Sequence, residues 1–323
     1  MNFSLGNVEK GKTDNQSEHV KVLILGSGPA GLSAALYAAR AETNPVVLAG
    51  MELGGQAALT FMIENYPGFP DGVGGSALGE LFQKQAERFG ARVDFDTATE
   101  IDLSKRPFTV KTYNKTYLAD TLILATGASP NHLEIPGEKE FTGRGVSYCA
   151  TCDGWFFKDK RVVVVGGGDS ALEEAIFLTR FASSVTIIHR RDALRAGPIL
   201  QKRAQENPKI SFVWNSVVTE FVGDGTLKQV QVKNVLTNES SYMDTDGIFI
   251  FIGHTPNTQL VAKQVDLDDN GYIKSDLTLS TNIPGVFVAG EVMDSHFRQV
   301  VTSAGMGAGA AIQAVKFLEE HEE

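Results

Sequence analysis

Apolar positions in this chain fall into short unbroken runs rather than strict alternation. Val20-Lys21-Val22-Leu23-Ile24-Leu25 is β-branched and aliphatic; a glycine-rich turn follows, then LSAALYAAR, a good helix former. Arg161-Val162-Val163-Val164-Val165, a second glycine turn and LEEAIFLTRF repeat that order. Pro45–Leu48, Asp120–Gly127, Ser184–Ile188 and Gly285–Glu291 are further apolar runs that end in small or polar residues. Such runs predict strands buried on both faces of parallel sheets. Strands alternating with helical stretches predict an α/β fold of two Rossmann-like, three-layer nucleotide-binding domains. Gly285–Glu291 follows the first unit by more than 100 residues. That gap predicts a first domain split by insertion of the second. Val300–Val315 (VVTSAGMGAGAAIQAV) predicts a small-residue helix that packs closely.

One run imitates a membrane span. Val22–Ala39 has 18 residues and no charge. Gly26, Gly28, Pro29 and Gly31 at its centre would break a spanning helix, so a strand, turn and buried helix explain it better. Residues 1–18 are polar, unpatterned and carry Glu9, Asp14 and Glu18. They match neither a signal peptide nor a transit peptide and are expected to be a disordered tail.

The turns carry the chemistry. Gly26-Ser27-Gly28-Pro29-Ala30-Gly31 is a GxGxxG in its proper setting, after a strand and before a helix. The first glycine permits the turn, the second admits a pyrophosphate, the third lets strand and helix pack, and the helix N-terminus faces the phosphates. Gly166-Gly167-Gly168-Asp169-Ser170-Ala171 repeats it 140 residues later, with Ala171 as the third small residue. A lone fingerprint is weak; two imply two dinucleotides that exchange something. After the second, Ser184–Ile188 leads to His189-Arg190-Arg191 and then Arg195. Arginines there match a 2′-phosphate in charge and fork geometry, which predicts NADPH rather than NADH. After the first, the expected ribose-binding carboxylate is missing at the strand end, and only Glu52 is near. The first nucleotide is left undefined by this signal.

Charge excludes some partners. A net charge of −10 opposes binding to nucleic acid or to anionic membranes. The only two cysteines stand in Cys149-Ala150-Thr151-Cys152-Asp153. A bridge between them would close almost no loop, so the pair is not a staple, and the chain suits a reducing compartment. Zinc is the rival use of CxxC. A structural zinc wants four ligands, yet there is no second pair, and His19, His132, His189, His254, His296 and His321 show no metal spacing. A CxxC at a helix start gives one cysteine a lowered pKa and forms a reducible disulfide that can cycle. The reading is a redox relay. Trp155, Phe156 and Phe157 follow, with Trp155 and Phe156 expected to be partly exposed.

Together these motifs resemble the low-molecular-weight, FAD-dependent thioredoxin reductases, from about residue 20 onward. The resemblance rests on GSGPAG (26–31), MELGGQ (51–56), ENYPGFP (64–70), ATG (125–127), CATCDG (149–154), GGGDSALEEA (166–175), HRRDALRA (189–196), GHTPNT (253–258) and VFVAGE with RQ (286–291 and 298–299). It implies FAD in the first fold, held by Gly26, Ser27, Gly28, Pro29, Ala30, Gly31, Gly54, Gly55, Gln56, Asn65, Ala125, Thr126, Gly127, Glu291, Arg298 and Gln299. Glu291 stands where the family has Asp, so that contact must shift. NADPH would meet Gly166, Gly168, Asp169, Ser170, His189, Arg190, Arg191 and Arg195. The FAD domain would comprise 19–128 and 256–323, and the NADPH domain 129–255, joined by linkers at Thr126–Pro136 and Gly253–Thr258. The resemblance further implies that Cys152 lies against the flavin, that Cys149 attacks a thioredoxin-like partner, and that Asp153 moves protons. It implies rotation of the inserted domain, a homodimer and, with the reduced thiols, a cytoplasmic setting. Neighbouring readings are a dithiol oxidase, which often lacks the basic turn, and a peroxidase-feeding reductase, whose extra N-terminal redox domain an 18-residue tail cannot hold. A non-enzymatic NADPH-binding protein or a ferredoxin–NADP reductase of this fold would not need the thiols.

Overall fold

The computed structural model describes residues 17–51, 53–60 and 62–321. Glu52, and the expected tail up to residue 16, lie outside the described residues. The first strand begins at Ser17, so Ser17 and Glu18 belong to the sheet rather than to the tail.

The first sheet has seven strands. Ser17–Leu25 lies parallel to Val46–Leu48 on one side and to Thr116–Leu124 on the other. Arg92–Asp94 extends the parallel part at one edge. Thr116–Leu124 is shared. Its first half pairs antiparallel with Phe108–Thr112, which pairs with Ala98–Asp102. Its second half pairs parallel with Val286–Val288, which returns from far along the chain. Val22, Leu23, Ile24, Leu122 and Ile123 are fully buried, as a strand covered on both faces requires.

One face of that sheet is covered by Pro29–Arg40 and the long helix Val300–His321. Ala30, Ala34, Ala35 and Ala38 meet Ala310, Ala311 and Ala314 in one core. The backbones come close because the side chains are small. A Cβ on Gly307 would lie 2.0 Å from the Ala30 carbonyl oxygen.

The second sheet is fully parallel, with five strands in the order Ile210–Val213, Ser184–Ile188, Arg161–Gly166, Gly247–Phe251, Val146–Ser147. A three-stranded antiparallel sheet, Ser216–Asp224, Thr226–Asn234 and Ser240–Asp244, packs with it. Between the two sheet systems the chain crosses twice. Both crossings meet in a two-stranded antiparallel ribbon, Ala128–Pro130 against His254–Pro256. Asn131 N–H donates to the Gly253 carbonyl and Asn257 N–H to the Gly127 carbonyl, which ties the crossings together.

Candidate active site

The first glycine turn sits at the carboxyl end of Ser17–Leu25, where a strand hands over to a helix. Gly26 has φ +111°, and a Cβ there would stand 2.3 Å from the Ala125 carbonyl oxygen. Only glycine fits both demands. Gly28 caps the following helix without a side-chain bond, and Pro29 occupies its first turn. A Cβ on Gly28 would meet open space. Uncapped N–H groups at a helix start, beside a clear backbone, form a cradle for an anionic dinucleotide.

That cradle opens into a cavity of about 890 Å³. Gly26, Ser27, Gly28, Pro29, Ala30, Gly55, Gln56 and Asn65 line it, as do Ala125, Thr126, Gly127, Glu291, Arg298 and Gln299. Two residues expected with them do not. Gly31 packs against the Gly26 carbonyl, and Gly54 sits in the left-handed region with φ +87° against Ala58. Both act through the backbone of the cradle.

The cysteines face the same cavity. Their sulfurs are joined, with Cα atoms 5.3 Å apart. Cys149 caps a single turn, Ala150–Asp153, and the Cys152 N–H lies 3.2 Å from its sulfur. An N–H aimed at sulfur favours a thiolate over a thiol once the disulfide opens. Cys149 Sγ also lies 3.4 Å from Thr151 Oγ1. Gln299 Nε2 donates to that hydroxyl at 3.2 Å, and Asn65 Nδ2 donates to Gln299 Oε1 at 3.1 Å. A hydrogen-bond chain thus runs from the first sheet system to the sulfur.

Asp153 lies deep beside the pair. Burial pushes its carboxyl above the ordinary value, against a Ser147 Oγ–H that donates to Oδ2 at 2.6 Å. A carboxyl whose burial raises its pKa is a better proton donor than an exposed one, and this one is placed to exchange a proton with a sulfur.

Arg298 projects into the cavity from the opposite wall, with φ +50°. One of its terminal nitrogens meets His254 Nδ1 at 2.9 Å, and the other donates to the Tyr272 hydroxyl at 3.3 Å. Burial and the guanidinium drop the His254 pKa to about 4, so the ring is neutral and accepts. Arg298 Nε is buried with no partner, a donor left for something in the cavity. Glu291 lies behind it; burial raises its pKa, Arg298 pulls it back and Asp294 adds to the rise.

The second glycine turn is built differently. A Cβ on Gly167 would lie 2.3 Å from the His189 ring. His189 is buried, its Nε2 is 3.1 Å from the Ala193 carbonyl oxygen, and burial lowers its pKa. It is a wedge under the turn. Asp169 Oδ1 accepts from the Gly197 N–H at 2.7 Å, and the Arg195 N–H donates to the Gly167 carbonyl. These bonds hold the arginine loop over the turn. Arg190, Arg191 and Arg195 are exposed and make no ion pair among the described residues. Of the residues expected around NADPH, only Ser170 lines the cavity. The basic loop therefore lies outside the cavity that the thiols line.

The comparisons decide the family. Residues 20–307 match the pyridine nucleotide-disulphide oxidoreductase model. A thioredoxin reductase of Rickettsia bellii is 52% identical over 93% of this chain and 98% of its own length. The chain belongs to the thioredoxin reductases. It is an NADPH-dependent flavoprotein disulfide reductase that uses FAD. The structure of the Streptococcus pyogenes thioredoxin reductase superposes with a TM-score of 0.89 at 43% identity, covering 94% of this chain and 99% of that one. A Lactococcus lactis thioredoxin reductase described as in its FR conformation is equally similar in sequence, 44%, with 93% and 99% covered. It superposes only at 0.64. At nearly equal sequence likeness the two solved structures thus superpose on this one to different extents.

Sequence reasoning missed Ser147, Tyr148, Glu174 and His254. Tyr148 donates to the buried Glu138 at 2.7 Å and lies 2.8 Å from His132 Nδ1, tying the Cys-bearing strand to the crossing segment. Glu174 stood inside the quoted GGGDSALEEA motif, but a sequence does not tell which of Glu173 and Glu174 turns inward.

Proposed function

We propose that this thioredoxin reductase draws on NADPH and hands electrons through Cys149 and Cys152 to the disulfide of a thioredoxin. The carrying observation is the Cys149–Cys152 disulfide set in the wall of the cavity that the first glycine turn opens. FAD held there would supply the two-electron chemistry that links NADPH to that disulfide. Gly26, Ser27, Gly28, Pro29 and Ala30 cradle its pyrophosphate, Gly31 and Gly54 shape the cradle, and Arg298 Nε answers it as an open donor. Gly55, Gln56, Asn65, Ala125, Thr126, Gly127, Glu291 and Gln299 complete its walls. Gly166, Gly168, Asp169 and Ser170 hold the NADPH phosphates, His189 supports that turn, and Arg190, Arg191 and Arg195 bind the 2′-phosphate.

The chemistry of the thiols balances. Cys149 thiolate attacks one partner sulfur and expels the other, which takes a proton from Asp153. Cys152 thiolate then attacks Cys149 Sγ, breaks its bond to the partner sulfur first attacked, which leaves as a thiolate and takes a proton from solvent, and restores the intramolecular disulfide. In sum, NADPH and a proton convert one disulfide into a dithiol. The units 19–128 with 256–323 and 129–255 turn about the ribbon, so that the basic loop and the thiols are served in alternation. The unequal superposition of two similarly related thioredoxin reductases, one described as in its FR conformation, supports this. The exposed Trp155 and half-buried Phe156 beside the thiols suit an apolar partner surface.

The enzyme works as a cytoplasmic homodimer. Exposed Leu81 and Phe89, on and just after the Gly75–Glu87 helix, suit a second copy. No helix among the described residues is long and apolar enough to cross a membrane. The acidic charge supports the absence of nucleic-acid partners. The test counts thiols. Purified holoenzyme with NADPH and oxidised thioredoxin should yield two thiols per NADPH consumed. NADPH consumption that needs oxygen and yields no thiols would replace this reading with an oxidase.

A further inference from the structure

Glu174 sits on the helix Asp169–Leu178 of the inserted unit, yet it lines the cavity opposite Arg298 of the other unit. Glu174 Oε2 is buried with no hydrogen-bond partner. Two opposite charges therefore face one cleft, and the carboxylate keeps one oxygen unsatisfied. A buried pair of this kind costs more in lost hydration than its attraction returns. Glu174 and Arg298 belong to different units, so a turn of one unit against the other would part them. Turning about the ribbon would return the carboxylate to water.

We propose that Glu174 is a positioning residue that opposes the closed arrangement: when ionised, it favours release of the inserted unit and so keeps the thiols from being trapped at the cavity. This inference rests on the alternation described above. Glu173 on its own helix and Arg298 from the other unit act on the carboxylate, and Asp153, neutral His254 and Glu291 line the same cavity. Burial and Glu173 raise the Glu174 pKa from 4.5 to about 7, while Arg298 opposes the rise. The sign follows. The closed arrangement binds the proton more tightly, so its advantage is complete below 4.5 and is lost as pH rises towards 7. Within that window the closed-to-released ratio should fall by about tenfold per pH unit.

The test measures arrangement directly. Dyes on Leu236→Cys and Tyr113→Cys, both exposed and one on each unit, report distance by energy transfer in the oxidised holoenzyme, whose native cysteines are blocked as the disulfide. Glu174→Gln keeps the shape and removes the charge. The expected result is a pH-dependent transfer in the otherwise native protein that flattens in Glu174→Gln. At pH 8 the variant should favour the closed arrangement by about tenfold or more. Near pH 4.5 the two proteins should differ little. Equal transfer in both at every pH would overturn the proposal, as would a variant shifted towards release. Thioredoxin reduction by the same dye-labelled native form is run alongside. Its absence would count against the reductase cycle itself, whereas normal reduction with no pH-dependent transfer would count against Glu174 alone.

Discussion

Asp153→Asn separates what a residue does for the reaction from what it does for the fold. The carboxyl is buried and its one side-chain partner is the Ser147 hydroxyl, 2.6 Å away. Asparagine keeps the size and still accepts that bond, but it cannot carry a proton. Losing a positioned acid typically costs about 100- to 10,000-fold in rate. The lower end, about 100-fold, fits here, because water reaches the half-buried cysteines and can supply protons slowly. Stability should move the other way. The folded carboxyl titrates above its unfolded value of 3.8, so its contribution is favourable below that pH and is lost as pH rises through the folded pKa. Removing the charge at neutral pH should therefore raise Tm. The assay pairs thioredoxin-dependent NADPH oxidation with thermal melts at acid and neutral pH. Activity within threefold of the native enzyme, or a lower Tm at pH 7, would refute the reasoning.

Three other outcomes follow from particular contacts. Gly26→Ala places a Cβ 2.3 Å from the Ala125 carbonyl oxygen at φ +111°. Backbone strain of about 1–3 kcal/mol should weaken FAD retention roughly tenfold or more, read as the flavin-to-protein absorbance ratio after purification. Arg191→Ala should raise KM for NADPH about 10- to 100-fold through the loss of a charged hydrogen bond, while NADH kinetics stay unchanged. Glu18 pairs with Lys115 at 2.7 Å and with Arg92. Burial would raise its pKa, but the bonds from Lys115 and Arg92 outweigh that and hold it below 4.5. Glu18→Gln should cost up to about 1 kcal/mol at neutral pH in urea melts, given partial exposure, and the difference should vanish as pH falls through the lowered pKa.

Local order carried much of this architecture. Runs such as Val162–Val165 announce buried parallel strands because no polar residue interrupts them. Each glycine turn falls between a run and a helix, where a strained loop must be paid for by close packing. The thiol pair was legible because its spacing fixes its chemistry. What escaped lay in distance. Gln299 reaches Thr151 across 148 positions, and Glu174 meets Arg298 across 124; neither meeting leaves a trace in local pattern. Gly167 read as room for a phosphate, yet it also makes room for the His189 ring. The antiparallel sheet of residues 216–244 was not anticipated, because a register shift between Val218 and Glu220 interrupts the alternation of its first strand and its last, Ser240–Asp244, is mostly polar. Ser17 and Glu18 read as tail because they are polar, yet they pair with Thr116 and Tyr117 at the sheet's margin.

The most direct test of the relay uses Cys152→Ser, which leaves Cys149 alone at the cavity wall. Mixed with oxidised thioredoxin, the variant should form a stable mixed disulfide through Cys149, seen as a one-to-one adduct that dithiothreitol releases, and it should not turn over NADPH with thioredoxin. Continued thioredoxin reduction by this variant, or an adduct that also forms in Cys149→Ser, would mean that the electrons travel by some other path.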